Sequence, residues 1–244
     1  MNTAFDDELS VCFWNILYDI EPASLIRPQS ERLPYITKAL DGLLPDKTFI
    51  GISESENRNG QLIAESLGYD TAYFVENGIP NAHIGLMSRL KLAPRFIQLD
   101  GNRRAVFVKY GDITIVVIHL TFGVFVERLH RQQIRTLLKN LDTNSPVVIM
   151  GDFNSQAWQR SRKLLSDAGF KSALGRTFFR WVPTAPSRSY RHFYPEPFKT
   201  LGLLGFTIDD IYVKGIEVLD SGTFEGESDH LGVWAKLRAP HPKS

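Results

Sequence analysis

The sequence holds a single cysteine, Cys12, so no disulfide can close within the chain. A thiolate zinc or iron–sulfur site is excluded on the same ground. One thiol set in an apolar run points to a reducing, cytoplasmic compartment. Charge of one sign is also lacking, since the net formal charge is +1. Such a balance gives no whole-molecule pull toward nucleic acid or an anionic membrane. No apolar run approaches the length needed to span a bilayer. The first ten residues carry Asp6, Asp7 and Glu8 and no basic stretch, so they do not read as a secretory signal. Internal repeats and low-complexity segments are absent.

What is present is 43% hydrophobic content over 244 residues, enough for a large core. The expectation is one domain over residues 1–244, with its core between residues 9 and 238, acting as a monomer. Leu9 to Trp14 reads as a first strand ending at Asn15. Between Ser30 and Leu44, Ile36, Ala39, Leu40 and Leu43 follow the i, i+3, i+4, i+7 spacing of one helical face, and Pro34 sets its start. Thr48–Ile52 is a strand delivering Ser53-Glu54-Ser55-Glu56, Gln61–Leu67 a helix closed by Gly68, and Tyr69–Val75 a strand. Ile84–Ser88 follows, with Arg89 just beyond it. Ala105–Tyr110 and Ile113–Leu120 form a hairpin about Gly111-Asp112, and the second, nearly all β-branched, is buried on both faces. Glu127–Leu141 is the clearest helix, and another lies around Trp158–Ala168. Regular structure resumes at Thr207–Val213 and Leu231–Leu237. The pattern is that of a layered α/β or α+β domain with buried sheets.

The most telling stretch is Pro146-Val147-Val148-Ile149-Met150-Gly151-Asp152-Phe153-Asn154. A buried strand runs into a glycine that lets the backbone turn. If extended geometry persists, Asp152 and Asn154 then project to one side. A strand ending in an ordinary Asp/Asn turn explains the same residues. Other strands also end in polar groups: Asn15, Glu54, His119, Asp209-Asp210, and Asp229-His230 before the last strand. Each has a structural explanation as turn, cap or core residue; together they suggest a site.

The pieces Trp14-Asn15-Ile16-Leu17, Ile52-Ser53-Glu54, Ile84-Gly85-Leu86-Met87-Ser88-Arg89, Val117-Ile118-His119-Leu120, Gly151-Asp152-Phe153-Asn154, Ile208-Asp209-Asp210-Ile211 and Ser228-Asp229-His230-Leu231 span nearly the whole chain. In this order they resemble the endonuclease/exonuclease/phosphatase superfamily. The resemblance implies a deoxyribonuclease I-like fold, a four-layer sandwich of two packed mixed β-sheets flanked by helices. It implies a phosphoesterase whose site lies at the strand ends and whose metal is Mg²⁺, with Mn²⁺ as a substitute.

The chemistry is consistent with these residue types. An anionic phosphate ester repels hydroxide, and a hard cation held by oxygen ligands relieves that repulsion. By resemblance, Glu54 is the leading metal ligand, supported by Asn15 and Asp229. Asp152 orients and deprotonates the water, and Asn154 contacts the water or a phosphate oxygen. Protonated His230, held by Asp209, binds the oxygens that gain charge, and His119 is a second phosphate or leaving-group contact. Asn15, Asn154, His83 and Arg89 are expected to bind substrate. Relatives carry an acidic residue where His83 stands, so His83 is either a site-edge contact or a surface residue. Asp209 is preferred over Asp210, which then faces solvent.

The expected reaction is hydrolysis of a phosphate ester by in-line attack of water, on a nucleic-acid phosphodiester or on a small or lipid phosphate of the inositol phosphate or sphingomyelin type. A binding protein that retains the fold without turnover is the third reading. From Lys171 to Lys199, arginines and lysines alternate with aromatic residues, a composition suited to backbone phosphates and exposed bases, or to a core edge with solvated arginines.

Overall fold

A computed structural model describes residues 8–19, 28–42, 48–123, 126–175, 184–185 and 206–239. Apart from 171–175 and 184–185, the basic and aromatic segment lies outside the described residues.

One six-stranded sheet is built from β1 (Glu8–Asn15), β2 (Thr48–Ser55), β3 (Thr71–Ile79), β4 (Ala82–Ser88), β11 (Glu217–Phe224) and β12 (Gly232–Arg238), in the order β11-β12-β1-β2-β4-β3. The second contains β5 (Arg95–Gln98), β6 (Arg104–Tyr110), β7 (Ile113–His119), β8 (Val147–Asp152), β9 (Lys171–Ser172) and β10 (Asp209–Lys214), in the order β5-β6-β7-β8-β10-β9. In each sheet one central pair is parallel, β1 with β2 and β7 with β8, and the other neighbours run antiparallel.

Side-chain alternation places the layers. Val11 and Phe13 of β1 face the other sheet, meeting Val117, Val148 and Met150, while Cys12 and Trp14 face outward. The outward face is covered by α1 (Gln29–Asp41) and α2 (Asn57–Ser66) through Ile36, Leu40 and Ile63. On the far side, α3 (Glu127–Asn140) and α4 (Arg160–Asp167) cover Val116, Ile118 and Ile149 with Ile134, Leu137 and Leu165. These are the two packed mixed sheets flanked by helices that the resemblance implies, and every residue of β7 is buried.

Three expectations need correction. Pro34 does not start its helix: α1 begins at Gln29 and Pro34 lies in its second turn. The early start follows from buried Gln29 and Arg32, whose side chains are tied to backbone of the neighbouring strand ends. Gly151 makes no turn, because β8 continues through it to Asp152. Its role is close approach, since a Cβ there would meet the Ile118 carbonyl oxygen of β7. Asp210 does not face solvent; it is buried against Arg162. Three strands escaped the sequence pattern, β5, β9 and β11, and each is a sheet edge, where one-sided burial weakens the alternation.

Gly151→Ala is expected to destabilise the protein by about 3 kcal/mol, the upper range for an overpacked interior. Urea denaturation measures this; a loss under about 0.5 kcal/mol would show that β7 and β8 can part freely.

Candidate active site

The parallel pairs β1/β2 and β7/β8 end on the same side of the sandwich as the beginnings of β4, β6, β10 and β12. Asn15, Glu54, His119, Asp152, Asp209 and His230 are gathered there. Asn15 ties the two sheets together: its Nδ2 donates to Glu54 Oε1 at 3.0 Å and to Asp152 Oδ2 at 3.2 Å. Its Oδ1 accepts from the Leu17 amide at 3.1 Å. Glu54 has a left-handed backbone, φ 56°, beside a break in the β2–β4 register. That conformation is unusual for a side chain of this kind and is found at functional sites. Its Oε2 accepts from the Tyr18 amide at 3.3 Å.

Asp152 Oδ1 accepts from the Asn154 amide at 2.8 Å, and Asn154 has φ 48°. The chain therefore closes an Asx turn instead of staying extended, and Asn154 Nδ2 donates to the Leu120 carbonyl at 3.1 Å. His230 Nδ1 donates to Asp209 at 2.8 and 3.0 Å and lies 3.9 Å from Asp152. The loop before β12 is pinned to β1: Ser228 Oγ donates to the Asn15 carbonyl at 2.6 Å, and Trp14 Nε1 to the His230 carbonyl at 2.9 Å.

Electrostatics separates the two histidines. Burial pushes both toward neutrality. At His230 the carboxylates of Asp209, then Asp229 and Asp152, outweigh burial and hold the ring well above its usual range. At His119 burial is reinforced by the positive charges of Arg103 and His230, so the ring is held well below that range. His119 Nε2 lies 3.5 Å from Glu54 and 3.8 Å from Asp152, and as a neutral ring it forms no ion pair with either. Asp152 is pushed up to about 7, by burial first and then by Asp209. Glu54 is raised by burial and by repulsion from Asp229.

Three ligand atoms, on Asp152, Asp209 and His230, lie within 4.8 Å of one another. His230, however, already donates to Asp209 and is held protonated, and an imidazolium cannot coordinate a cation. Glu54, repelled by Asp229 and held by the Asn15 carboxamide at 3.0 Å, offers oxygen chemistry that could hold a hard divalent ion. The repulsion between those carboxylates is the observation that fits one.

His83 stands at the rim, opposite Ser55 in the β2 register, and its Nδ1 donates to the Asn81 carbonyl at 3.0 Å. Arg89 is not gathered with the others. Ser88 pairs with Phe49 at the opposite end of β4, and the Arg89 guanidinium lies 5.8 Å from the Tyr69 ring centre. The sequence reading missed Arg103 and Asn77. Asn77 Nδ2 donates to the His119 carbonyl at 3.0 Å, and buried Arg103 donates to the Asn77 carbonyl at 2.8 Å. Arg103 precedes β6 as Asp209 opens β10, so the search for polar strand ends could have included it.

Comparison with known proteins bears on the fold and the family. A search of curated protein sequences returned no match. Among solved structures, a functionally unknown conserved protein from Enterococcus faecalis superposes with a TM-score of 0.74 at 15% identity, covering 95% of this chain and 100% of that one. The human Nocturnin catalytic domain with bound sulfate gives 0.71 at 20% identity, covering 95% and 93%. A mannosyl-6-phosphatase from Bacteroides thetaiotaomicron gives 0.67 at 16% identity, covering 94% and 99%. At these identities the likeness is one of fold. The family model for the endonuclease/exonuclease/phosphatase family matches residues 12–230, and with that match over most of its length the chain belongs to this family.

Proposed function

We propose that this protein hydrolyses a phosphate ester with the help of a divalent cation, Mg²⁺ or Mn²⁺. The observation that carries the reading is the convergence of polar side chains from both sheets on one edge: Asn15 Nδ2 reaches Glu54 at 3.0 Å and Asp152 at 3.2 Å, His119 lies 3.5 Å from Glu54, and His230 meets Asp209 at 2.8 Å and lies 3.9 Å from Asp152. A bound cation would supply charge neutralisation to the phosphate ester as a Lewis acid. Glu54, with Asn15 and Asp229, would hold it.

The remaining work falls to the protein. Asp152, pushed up to about 7, is matched to accept a proton from the attacking water near neutral pH. Asn154 keeps its Oδ1 to orient that water, since its Nδ2 is committed to Leu120. His230 spends Nδ1 on Asp209, which leaves the Nε2–H for the phosphoryl oxygens as they gain charge. Asp209 acts through His230 as a positioning residue. Neutral His119 offers a hydrogen bond on the opposite flank, and Arg103 adds a fixed positive charge close to Glu54 and Asp152. The family includes nucleases and phosphatases. The polar position required by each step is filled, which weighs against a binding protein without turnover.

The test is an assay panel run with Mg²⁺ and with chelator, over single-stranded and duplex DNA, RNA, inositol phosphates, sphingomyelin and a generic diester. Turnover is expected on at least one substrate and is abolished by chelator. His230→Ala should lower kcat by roughly 10²- to 10³-fold, and Asp152→Asn by roughly 10²- to 10⁴-fold. Glu54→Gln should lose most activity together with the rise in melting temperature that Mg²⁺ gives the parent. Parent-like rates in these variants would reject the assignment.

Asp209→Asn tests the partner of His230. Breaking a buried pair costs about 3–5 kcal/mol. Because the folded His230 value is raised, the pair's contribution is complete below about pH 6.5 and is lost as pH rises through the folded value. Parent and variant should therefore differ most on the acid side and converge in alkali. NMR titration of the His230 ring should show its pKa falling in the variant; an unchanged value would remove Asp209 from this role.

A further inference from the structure

Among the described residues two arginines are fully buried, Arg32 on α1 and Arg162 on α4, and neither is used by the chemistry above. They lie in opposite outer layers but have matching places. Read from β11 and from β9, the two sheets repeat one plan: two antiparallel steps, a parallel step, then two antiparallel steps. In that plan β1 corresponds to β8 and β12 to β10. Arg32 follows β1 and Arg162 follows β8.

Each guanidinium bridges the loop leaving one of these strands and the loop entering its antiparallel neighbour. Arg32 Nη1 donates to the Ile16 carbonyl at 2.7 Å, just past Asn15, and to the Glu227 carbonyl at 2.8 Å, just before Asp229. Its Nη2 donates to the Leu17 carbonyl at 2.6 Å and lies 3.5 Å from Asp19. From the same helix turn, Gln29 Nε2 donates to the Leu17 carbonyl at 3.1 Å and to the Glu54 carbonyl at 2.9 Å. Arg162 Nη1 donates to the Ser155 carbonyl at 3.1 Å, just past Asn154, and to the Ile208 carbonyl at 3.3 Å, just before Asp209. Its Nη2 meets Asp210 at 2.6 Å, its Nε donates to the Tyr212 hydroxyl at 3.1 Å, and its carbon centre lies 4.0 Å from the Phe153 ring centre.

We propose that Arg32 and Arg162 are paired positioning residues that divide the site between them, Arg32 setting the cation-binding side and Arg162 the water-activating side. The inference rests on the phosphoesterase reading. The groups each arginine spans are different in kind. Arg32 joins the loops carrying Asn15 and Asp229, with Gln29 extending the hold to Glu54. Arg162 joins the loops carrying Asp152 and Asn154 to the one carrying Asp209. A planar fork with several fixed donors can bridge two loops at once, whereas the compact ammonium of lysine cannot. Outer residues that orient ligands typically cost 10- to 100-fold in affinity or activity when altered.

The experiment is Arg32→Lys beside Arg162→Lys. Calorimetry with Mn²⁺ alone reads cation affinity without turnover, and kinetics at saturating Mn²⁺ read kcat and KM on the substrate found by the panel. Arg32→Lys should weaken Mn²⁺ binding about 10- to 100-fold, with kcat at saturation within about threefold of the parent. Arg162→Lys should leave Mn²⁺ affinity within about threefold and lower kcat about 10- to 100-fold, with KM little changed. Because either lysine variant could fail to fold, Asp19→Asn and Tyr212→Phe serve as milder partners. Asp19→Asn removes the charge facing Arg32 and Tyr212→Phe the acceptor of Arg162 Nε, and each should give the same split at about three- to tenfold. Equal losses in both readouts, or no loss in either, would overturn the proposal with the phosphoesterase reading intact. A parent that neither binds Mn²⁺ nor turns over any panel substrate would bring down both.

Discussion

The constraint on which the site depends is the close face-to-face packing of two sheets whose central parallel pairs end at the same edge. Gly51 of β2 shows how close the contact is: a Cβ there would lie 2.8 Å from Val117 of β7. Interiors packed this densely leave strand ends little freedom to slide apart. The acidic residues that terminate these strands are therefore held together against their repulsion. Burial raises Glu54 and Asp152, reinforced by repulsion from Asp229 at Glu54 and from Asp209 at Asp152. The compensating charges are also built in: His230 against Asp209, and Arg103 on the His119 flank.

That arrangement explains how two buried histidines acquire opposite states. Desolvation acts on both in the same direction, so burial cannot be what distinguishes them. Neighbouring charge decides. His230 has a carboxylate on its ring nitrogen and others near it, whereas at His119, 3.5 Å from Glu54 and 3.8 Å from Asp152, burial and the positive charges of Arg103 and of His230 itself prevail. Protonation of one ring therefore opposes protonation of the other, and the edge of the sandwich carries a cationic donor on one flank and a neutral ring on the other.

The site was legible in sequence to the extent that its members lie at the end or the entry of a strand with strong hydrophobic patterning. Cys12-Phe13-Trp14 ahead of Asn15, and Val116-Val117-Ile118 ahead of His119, leave little doubt where the strand stops. Where burial is one-sided the signal fades. In β11 the register also shifts between Val218 and Asp220, which breaks the alternation further. Local turn logic misled at Gly151 and Pro34. Both residues often punctuate chains, yet here one sits inside a strand because β7 comes too close for a side chain, and the other inside a helix anchored from its first turn by tertiary hydrogen bonds.

By itself the sequence determined the alternation that assigns each strand two faces, the layered class, and the polar residue that closes each central strand. These are properties of consecutive residues, and local spacing suffices to specify them. Tertiary structure alone decided that Asp210, beside the Asp209 that meets His230, is buried on Arg162 instead of facing solvent. It also decided that Arg89 belongs to the far end of β4, and that Arg32 and Arg162 occupy matching places with no sequence repeat to announce them. Those outcomes depend on which strands become neighbours and on the side of the sheet a residue faces once they pair, and no local pattern carries that information.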